Sequence, residues 1–378
     1  MRIIQVCPYD LARPGGVQAH VRDLSAWLTR QGHETRIVAP YPVTGQPLAG
    51  VDHCGRARLV SLFSTRFEIS LARRAEVRAL AGELGEGWKA DLVHLHTPWT
   101  PLMAWQVWRG LRLPSVATFH ATLPDPGDRG ISARLLRQAA NHFLDRSRAL
   151  IVPSATPLAH LRPEARGIAA HVLPPSVDLS AWRMAGQTRG PKGAGCHIVF
   201  LGRFEERKGL DVLLAAWPDV ARQGDDIRLT VAGGGTLEPL VHAAMAGPFG
   251  GRIAHLPTPD DAAARALVAS ADVLAAPSRF GESFGIVLIE AMAAGAVPVA
   301  AANPGYASVM TGELAGLLVP PGDARALAER LLELCRAQDQ RARFAELARA
   351  RAAGFDIAAT GPEFLAVYER ALRETAKR

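Results

Sequence analysis

Residues 281–295 read Gly281-Glu282-Ser283-Phe284-Gly285-Ile286-Val287-Leu288-Ile289-Glu290-Ala291-Met292-Ala293-Ala294-Gly295. Polar punctuation is sparse. One carboxylate stands in a Gly/Ser turn and the second, with seven residues between them, inside an apolar, Ala-rich run. A helix starting near Phe284 offers unpaired backbone N–H groups and the positive end of its dipole, which suits a phosphate oxygen. Glu290 then lies about 9 Å further along the axis, which matches the span from a sugar through a diphosphate to a ribose. Two carboxylates at this spacing also suit a turn and a solvated helix face. However, Ile286, Val287, Leu288, Ile289, Ala291 and Met292 leave no wet face for the second. A carboxylate in that company costs several kcal/mol unless hydrogen bonds, such as those of ribose hydroxyls, reach it.

Outward from this stretch the chain alternates strand and helix. Strands are expected over 197–201, 227–232, 252–256, 272–276 and 297–300, with helices over 210–223, 237–246 and 262–270 between them. The loop after the first of these strands, Gly202-Arg203-Phe204-Glu205-Glu206-Arg207-Lys208-Gly209, places Arg203 and Lys208 at the carboxyl edge of a sheet. There an Arg fork and a Lys point charge can grip a diphosphate, although basic loop residues are also often merely solvated. The amino-terminal half repeats the alternation. A strand over 2–7 ends in a turn, and Val17, Val21, Leu24 and Leu28 follow at helical spacing. Pro14-Gly15-Gly16 lets backbone approach a ligand just before a helix N-terminus, or forms a plain tight turn. Further strands are expected over 34–39, 91–96 and 116–120, with helices over 69–84 and 98–109. Such alternation means parallel βαβ units with ligands at the strands' carboxyl ends, where His94, His96 and His120 fall. His94-x-His96 has no third ligand at metal-like spacing and is expected to divide between the two faces of its strand. Both histidines are therefore read as structural, and no metal is expected.

At 378 residues the chain exceeds what one hydrophobic core normally serves, so two domains are expected. Their limits are read as 1–182 and 183–356, with 185–195 as a polar, Gly-rich linker and 357–378 as a terminal helix. Hydrophobic content of 48% with few aromatic residues indicates globular α/β structure. Cys7, Cys54, Cys196 and Cys335 are scattered without a Cys-x-x-Cys, which points to a reduced, cytoplasmic protein. No export signal is read, and the uncharged run over 291–312 contains Pro298, Asn303 and Pro304, so it is soluble core and loop. Residues 1–180 hold 21 Arg and Lys against 14 Asp and Glu, while the remainder holds 22 of each. The whole positive surplus thus sits in the amino-terminal half and suits an acidic partner. Arginines at 56, 58, 66, 73, 74 and 78, interleaved with Leu62, Phe63, Phe67, Ile69 and Leu71, can lie on an anionic bilayer or form an ordinary surface helix.

The run from Glu282 to Gly295 resembles the signature of the retaining GT-B glycosyltransferases of family 4, in the version found in phosphatidylinositol mannosyltransferases. The resemblance implies two Rossmann-like domains facing each other across an interdomain cleft that closes on its ligands, with the terminal helix crossing back onto the first domain. It assigns Glu282 to the transferred sugar, the amides at Phe284, Gly285 and Ile286 to sugar and phosphate, and Glu290 to the ribose. Arg203 and Lys208 resemble the diphosphate clamp, Gly16 the donor-phosphate loop, and Ala117-Thr118-Phe119-His120 the motif whose His lines the sugar site. In the loop 256–261, Asp260 corresponds to a residue beside the base, and either Asp260 or Asp261 also suits a helix cap.

By that resemblance the catalytic residues are His120, Glu282, Arg203 and Lys208, and the reaction moves a hexose from a nucleotide sugar without a tightly bound cofactor. The Cys-Pro-Tyr opening, the Pro-Gly-Gly-Val-Gln turn and the Asp260-Asp261 loop favour GDP-mannose, with UDP-glucose and related donors as the alternative. On the acceptor side the chain departs from the inositol-lipid enzymes: Ala-Thr-Leu-Pro-Asp follows His120, with no basic residue until Arg129. A lipid-linked or glycan acceptor is therefore expected, at the inner face of a bacterial cell membrane where the enzyme sits peripherally. In the basic half few aromatics are interleaved with the basic residues and no recognised nucleic-acid module is present, so no nucleic-acid partner is expected. A non-catalytic nucleotide-sugar sensor would carry the same binding residues and lack turnover.

Overall fold

In β1 (Arg2–Val6) the side chains of Ile3, Ile4 and Val6 are fully buried, and they face opposite ways. Ile4 and Val6 pack with Val93, Leu95 and Trp108, whereas Ile3 packs with Leu24, Leu28 and Phe364. A strand buried on both faces is what a parallel sheet covered by helices requires. The computed structural model describes residues 1–62, 65–97, 102–120, 131–161, 167–188 and 195–376. Its chain divides into two compact units, Met1–Val177 together with Ile357–Arg378, and Asp178–Asp356.

The first unit holds β1, β2 (Glu34–Tyr41), β3 (Val51–Leu62), β4 (Thr65–Leu71), β5 (Leu92–His96), β6 (Ser115–Thr118), β7 (Ala149–Val152) and β8 (Ala169–Val172). They form one eight-stranded sheet in the order β4-β3-β2-β1-β5-β6-β7-β8, parallel except for the β3–β4 hairpin. β1 lies between β2 and β5, so the order reverses there, and the chain leaves it into helix α1 (Gly16–Arg30). The second unit holds β9 (Cys196–Leu201), β10 (Ile227–Gly233), β11 (Ile253–Pro257), β12 (Val273–Ala276), β13 (Val297–Ala301) and β14 (Leu318–Val319), ordered β11-β10-β9-β12-β13-β14 and parallel throughout. Its reversal lies at β9, which pairs with both β10 and β12. In open parallel sheets that reversal is where loops part and leave room for a ligand.

Several expectations change. Residues 56–62 belong to β3 and 65–71 to β4, which pair antiparallel, and helix begins only at Arg74–Ala81. The alternation of Arg56, Arg58 with Ala57, and of Glu68, Ser70 with Ile69, Leu71, has the period of two that belongs to a strand. Phe63 lies outside the described residues. The expected linker begins inside a helix of the second unit, Ser180–Thr188, and residues 189–194 lie outside the described residues. The expectation of four reduced cysteines holds for Cys7 and Cys54 alone. Cys196 on β9 and Cys335 on the helix Ala324–Arg336 are bonded to each other, with their Cα atoms 5.3 Å apart. Among the described residues no helix is long and apolar enough to cross a membrane.

The final helix, Ile357–Ala376, contributes Phe364, Val367, Tyr368 and Ala371 to the core built on Ile3 and Leu24. Gly361 is what lets it approach α1: a Cβ there would lie 2.6 Å from the Trp27 ring. Alanine normally gains about 1 kcal/mol over glycine inside a helix, but overpacking against a buried ring costs about 1–3 kcal/mol. Gly361→Ala is therefore expected to lower the midpoint of urea unfolding, and a raised midpoint would show that the two helices separate at no cost.

Candidate active site

Because β9 and β12 are neighbours, the loops leaving their carboxyl ends adjoin. Gly209 sits at φ +70°, where a Cβ would meet Pro277 O at 2.0 Å. Arg279 N–H donates to Arg207 O at 2.9 Å, and Arg279 also pairs with Asp211. These ties bring three charges together: Lys208 Nζ and Arg207 Nη1 each stand 2.7 Å from Glu282 Oε1. Arg203, half exposed on the same loop, pairs with Glu205 at 2.9 Å, and Arg207 reaches Glu205 at 4.0 Å.

The far side of Glu282 is equally constrained. The short helix Pro304–Val309 is capped by Asn303, whose side chain accepts from Tyr306 N at 2.9 Å. Gly305 in that helix would, with a Cβ, strike Glu282 O at 2.2 Å and Phe284 N at 2.8 Å. Tyr306 and Ser278 share a hydrogen bond of 2.9 Å beneath. Burial pushes the Lys208 ammonium below the ordinary lysine range, against the pull of Glu282. Burial alone would raise the Glu282 carboxyl, but Lys208 and Arg207 outweigh it and hold the carboxyl low. Burial and Glu282 together push the Tyr306 phenol well up.

Beside this cluster the long apolar helix begins at Ile286, two residues later than the sequence suggests. Gly285 precedes it at φ +133°. A Cβ at Gly285 would meet the Tyr306 ring at 2.7 Å. No side chain caps this N-terminus and its first turn carries no acidic residue, so its amides are open to an anion. Phe284 turns inward against Phe355, with ring centroids 5.3 Å apart. Glu290 is partly buried in the second turn, about 6 Å along the axis from the start. Asp260 caps the helix Asp261–Ser270, its Oδ1 accepting from Ala263 N at 2.7 Å, so the capping reading describes its carboxylate.

In the first unit, Gly16 opens α1, again with no side-chain cap and no acidic residue in the first turn. The turn before it is held from the hairpin: Glu68 accepts from Asp10 N at 2.8 Å and pairs with Arg13, and Ser70 donates to Pro8 O at 3.0 Å. His120 Nε2 lies 2.9 Å from His96 Nδ1, and His96 Nε2 lies 2.8 Å from Gln5 Oε1. His94 bridges Thr118 Oγ1 and Tyr368 Oη at 2.6 Å each. His94 and His96 are two apart on β5 and so share a face, with ring centroids 4.0 Å apart, contrary to the expected division. His20, one turn into α1, completes the group. Burial depresses all four imidazoles, His20 to about 4, so they are neutral at ordinary pH.

Residues 14–181 match the family described as Glycosyltransferase Family 4, and residues 191–351 match Glycosyl transferases group 1. The phosphatidyl-myo-inositol mannosyltransferase of Mycobacterium leprae is 34% identical over 372 residues, covering 98% of this chain and 96% of its own. The chain belongs to glycosyltransferase family 4. The corresponding Mycolicibacterium smegmatis protein is 31% identical over 98% of this chain and 94% of its own. Among solved structures, sucrose-phosphate synthase of Thermosynechococcus elongatus superposes with a TM-score of 0.75 at 22% identity, covering 99% of both chains. Two Rossmann-like units in one chain are the GT-B fold of that family.

In this glycosyltransferase Lys208 and Glu282 are in direct contact and Arg203 stands on the same loop. Arg207, which the sequence reading passed over, makes a contact to Glu282 as short as that of Lys208. Its signal was its place beside Lys208 in the carboxyl-edge loop. The cluster predicts that Glu282→Gln takes the shared carboxylate from two largely buried cations and destabilises the second unit by about 3 kcal/mol. Adding Lys208→Met to Glu282→Gln should recover part of that loss in denaturant titrations. Simple additivity of the two substitutions would mean that the ions do not interact.

Proposed function

We propose that this glycosyltransferase moves mannose from GDP-mannose, with retention of configuration, to a lipid-linked acceptor at the cytosolic membrane face. One observation carries the reading: a largely buried Arg207–Lys208 pair closes on Glu282 beside an uncapped helix N-terminus. That is a grip for a diphosphate, with Glu282 as its internal counter-charge. The donor's diphosphate takes over Arg207, Lys208, Arg203 and the amides at Phe284, Gly285 and Ile286, and frees Glu282 to orient the sugar hydroxyls. Glu290 holds the ribose, Asp260 belongs to the loop beside the base, Gly16 meets the donor phosphate and His120 lines the sugar.

As the bond from the anomeric carbon to phosphate oxygen breaks, negative charge grows on the leaving diphosphate. The cationic grip stabilises it more in the transition state than in the ground state. The acceptor oxygen bonds to the same carbon from the face the diphosphate leaves, and the acceptor proton passes to the departing phosphate. This path needs no tightly bound cofactor. Mannose and a lipid acceptor are supported by the names of relatives that match along the whole chain. A membrane-facing role for the first unit is supported by Arg56, Arg58, Arg73, Arg74 and Arg78, all exposed, with Leu71 58% exposed among them.

Assayed against a panel of nucleotide sugars, the enzyme should release nucleoside diphosphate fastest from GDP-mannose. Faster release from UDP-glucose would overturn the donor assignment, and no release from any donor would leave a binding protein. Glu282→Gln should lower kcat at least 100-fold, about 3 kcal/mol, while binding GDP more tightly than the parent because the competing carboxylate charge is gone. Liposome flotation should recover the enzyme with vesicles containing anionic lipid at low salt, with Arg73→Gln/Arg74→Gln reducing recovery. Recovery wholly in the soluble fraction would count against the membrane face.

A further inference from the structure

The short helix Pro304–Val309 walls one side of Glu282, and its far end is held by a residue that the glycosyl-transfer reading leaves without a role. Arg351, in the last turn of the helix Gln338–Ala353, donates from Nε to Val309 O at 3.0 Å and from Nη2 to Ser308 O at 3.1 Å. We propose that Arg351 is a positioning residue for the diphosphate subsite, fixing the turn 282–286 without touching the donor. The proposal rests on the reading of that turn as part of the diphosphate grip.

Two routes lead from Arg351 to the turn. The first runs through backbone. A helix leaves its last carbonyls without intrahelical partners, and a guanidinium fork can satisfy two successive ones. At the other end of the same short helix, Gly305 lies so close to the turn that a Cβ would meet Glu282 O and Phe284 N, and Tyr306 fills the space that a Cβ on Gly285 would take. Any shift of the short helix is therefore passed directly to residues 282–285. The second route runs through rings. The Arg351 guanidinium carbon stands 4.5 Å from the Phe355 ring centroid, and Phe355 meets Phe284 edge-on, both rings buried. Phe284 supplies one of the amides assigned to the diphosphate.

The partners of Arg351 differ from those of its neighbours. Arg341, Arg343 and Arg349 on the same helix pair with Asp272, Glu313 and Glu346. Among the described residues no carboxylate pairs with Arg351, whose contacts are two carbonyls and a ring. Burial pulls its guanidinium below the ordinary arginine range. A charge half withdrawn from water among neutral partners is a poor source of stability. Its contribution is geometric, because one planar group fixes two carbonyls and an aromatic face at once. Lysine would bring the same charge as a point on a flexible stem, without the fork or the flat face.

The test compares nucleotides with and without the second phosphate. In calorimetric titrations of the full-length chain GDP should bind more tightly than GMP, with UDP and UMP as the pair if the parent prefers uridine. Arg351→Met should lower the diphosphate affinity about 10-fold and leave the monophosphate affinity unchanged. Arg351→Lys, which keeps the charge and loses the fork, should fall between parent and Arg351→Met. Near-ultraviolet circular dichroism identifies the variants that keep the parent's fold, and the lysine variant carries the comparison if the methionine one does not fold. In a folded variant, a diphosphate preference equal to the parent's, or equal losses for both nucleotides, would overturn the assignment. A parent that binds GDP and GMP alike, and UDP and UMP alike, would instead overturn the diphosphate grip itself, before any variant is made.

Discussion

Everything in the second unit turns on one buried carboxylate held between two cations. Glu282 needs Lys208 and Arg207 to remain ionised at its depth, and they need it, because each charge alone would lose more in leaving water than it regains. The pair of contacts exists only because β9 and β12 are adjacent at the point where the sheet order reverses. Glycines with no room for a Cβ, at 209, 285 and 305, then let the loops and the short helix close around it. Topology supplies the meeting place, glycine supplies the approach, and charge fixes the final geometry.

Around β5 the first unit accommodates polar groups in its core with neutral rings in place of an ion cluster. Burial keeps His94, His96 and His120 neutral, and Gln5, Thr118 and Tyr368 link them into a hydrogen-bonded chain. Tyr368 belongs to the last helix, so the ring orientation of His94 depends on a residue that enters the unit from the far end of the sequence. Depressed imidazole basicity follows from burial, and it keeps this interior free of positive charge, in contrast to the cationic loop of the second unit.

Much of the fold was legible because parallel α/β units write themselves as short apolar strands alternating with amphipathic helices. The family signature at Glu282–Gly295 was legible for another reason: a carboxylate inside an apolar helix demands a partner. What stayed hidden was long-range. Arg207 looked like one more solvated loop residue until the neighbouring strand brought Glu282 to it. His20 gave no local sign of belonging with His96 and His120, since the three meet only through sheet order. In the β3–β4 hairpin the arginines give the sequence the look of a charged surface helix, while the period of two is the feature that marks the strands. The pairing of Cys196 with Cys335, 139 residues apart, carries no sequence signal at all.

The returning helix has one further implication, for the order in which the protein takes shape on the ribosome. The segment Asp178–Asp356 has all its strands in hand once it emerges, whereas the segment begun first still lacks Phe364, Val367 and Tyr368. The nascent amino-terminal half therefore waits, with an uncovered apolar face on β1 and α1, through the synthesis of its companion. The part translated earliest is completed latest.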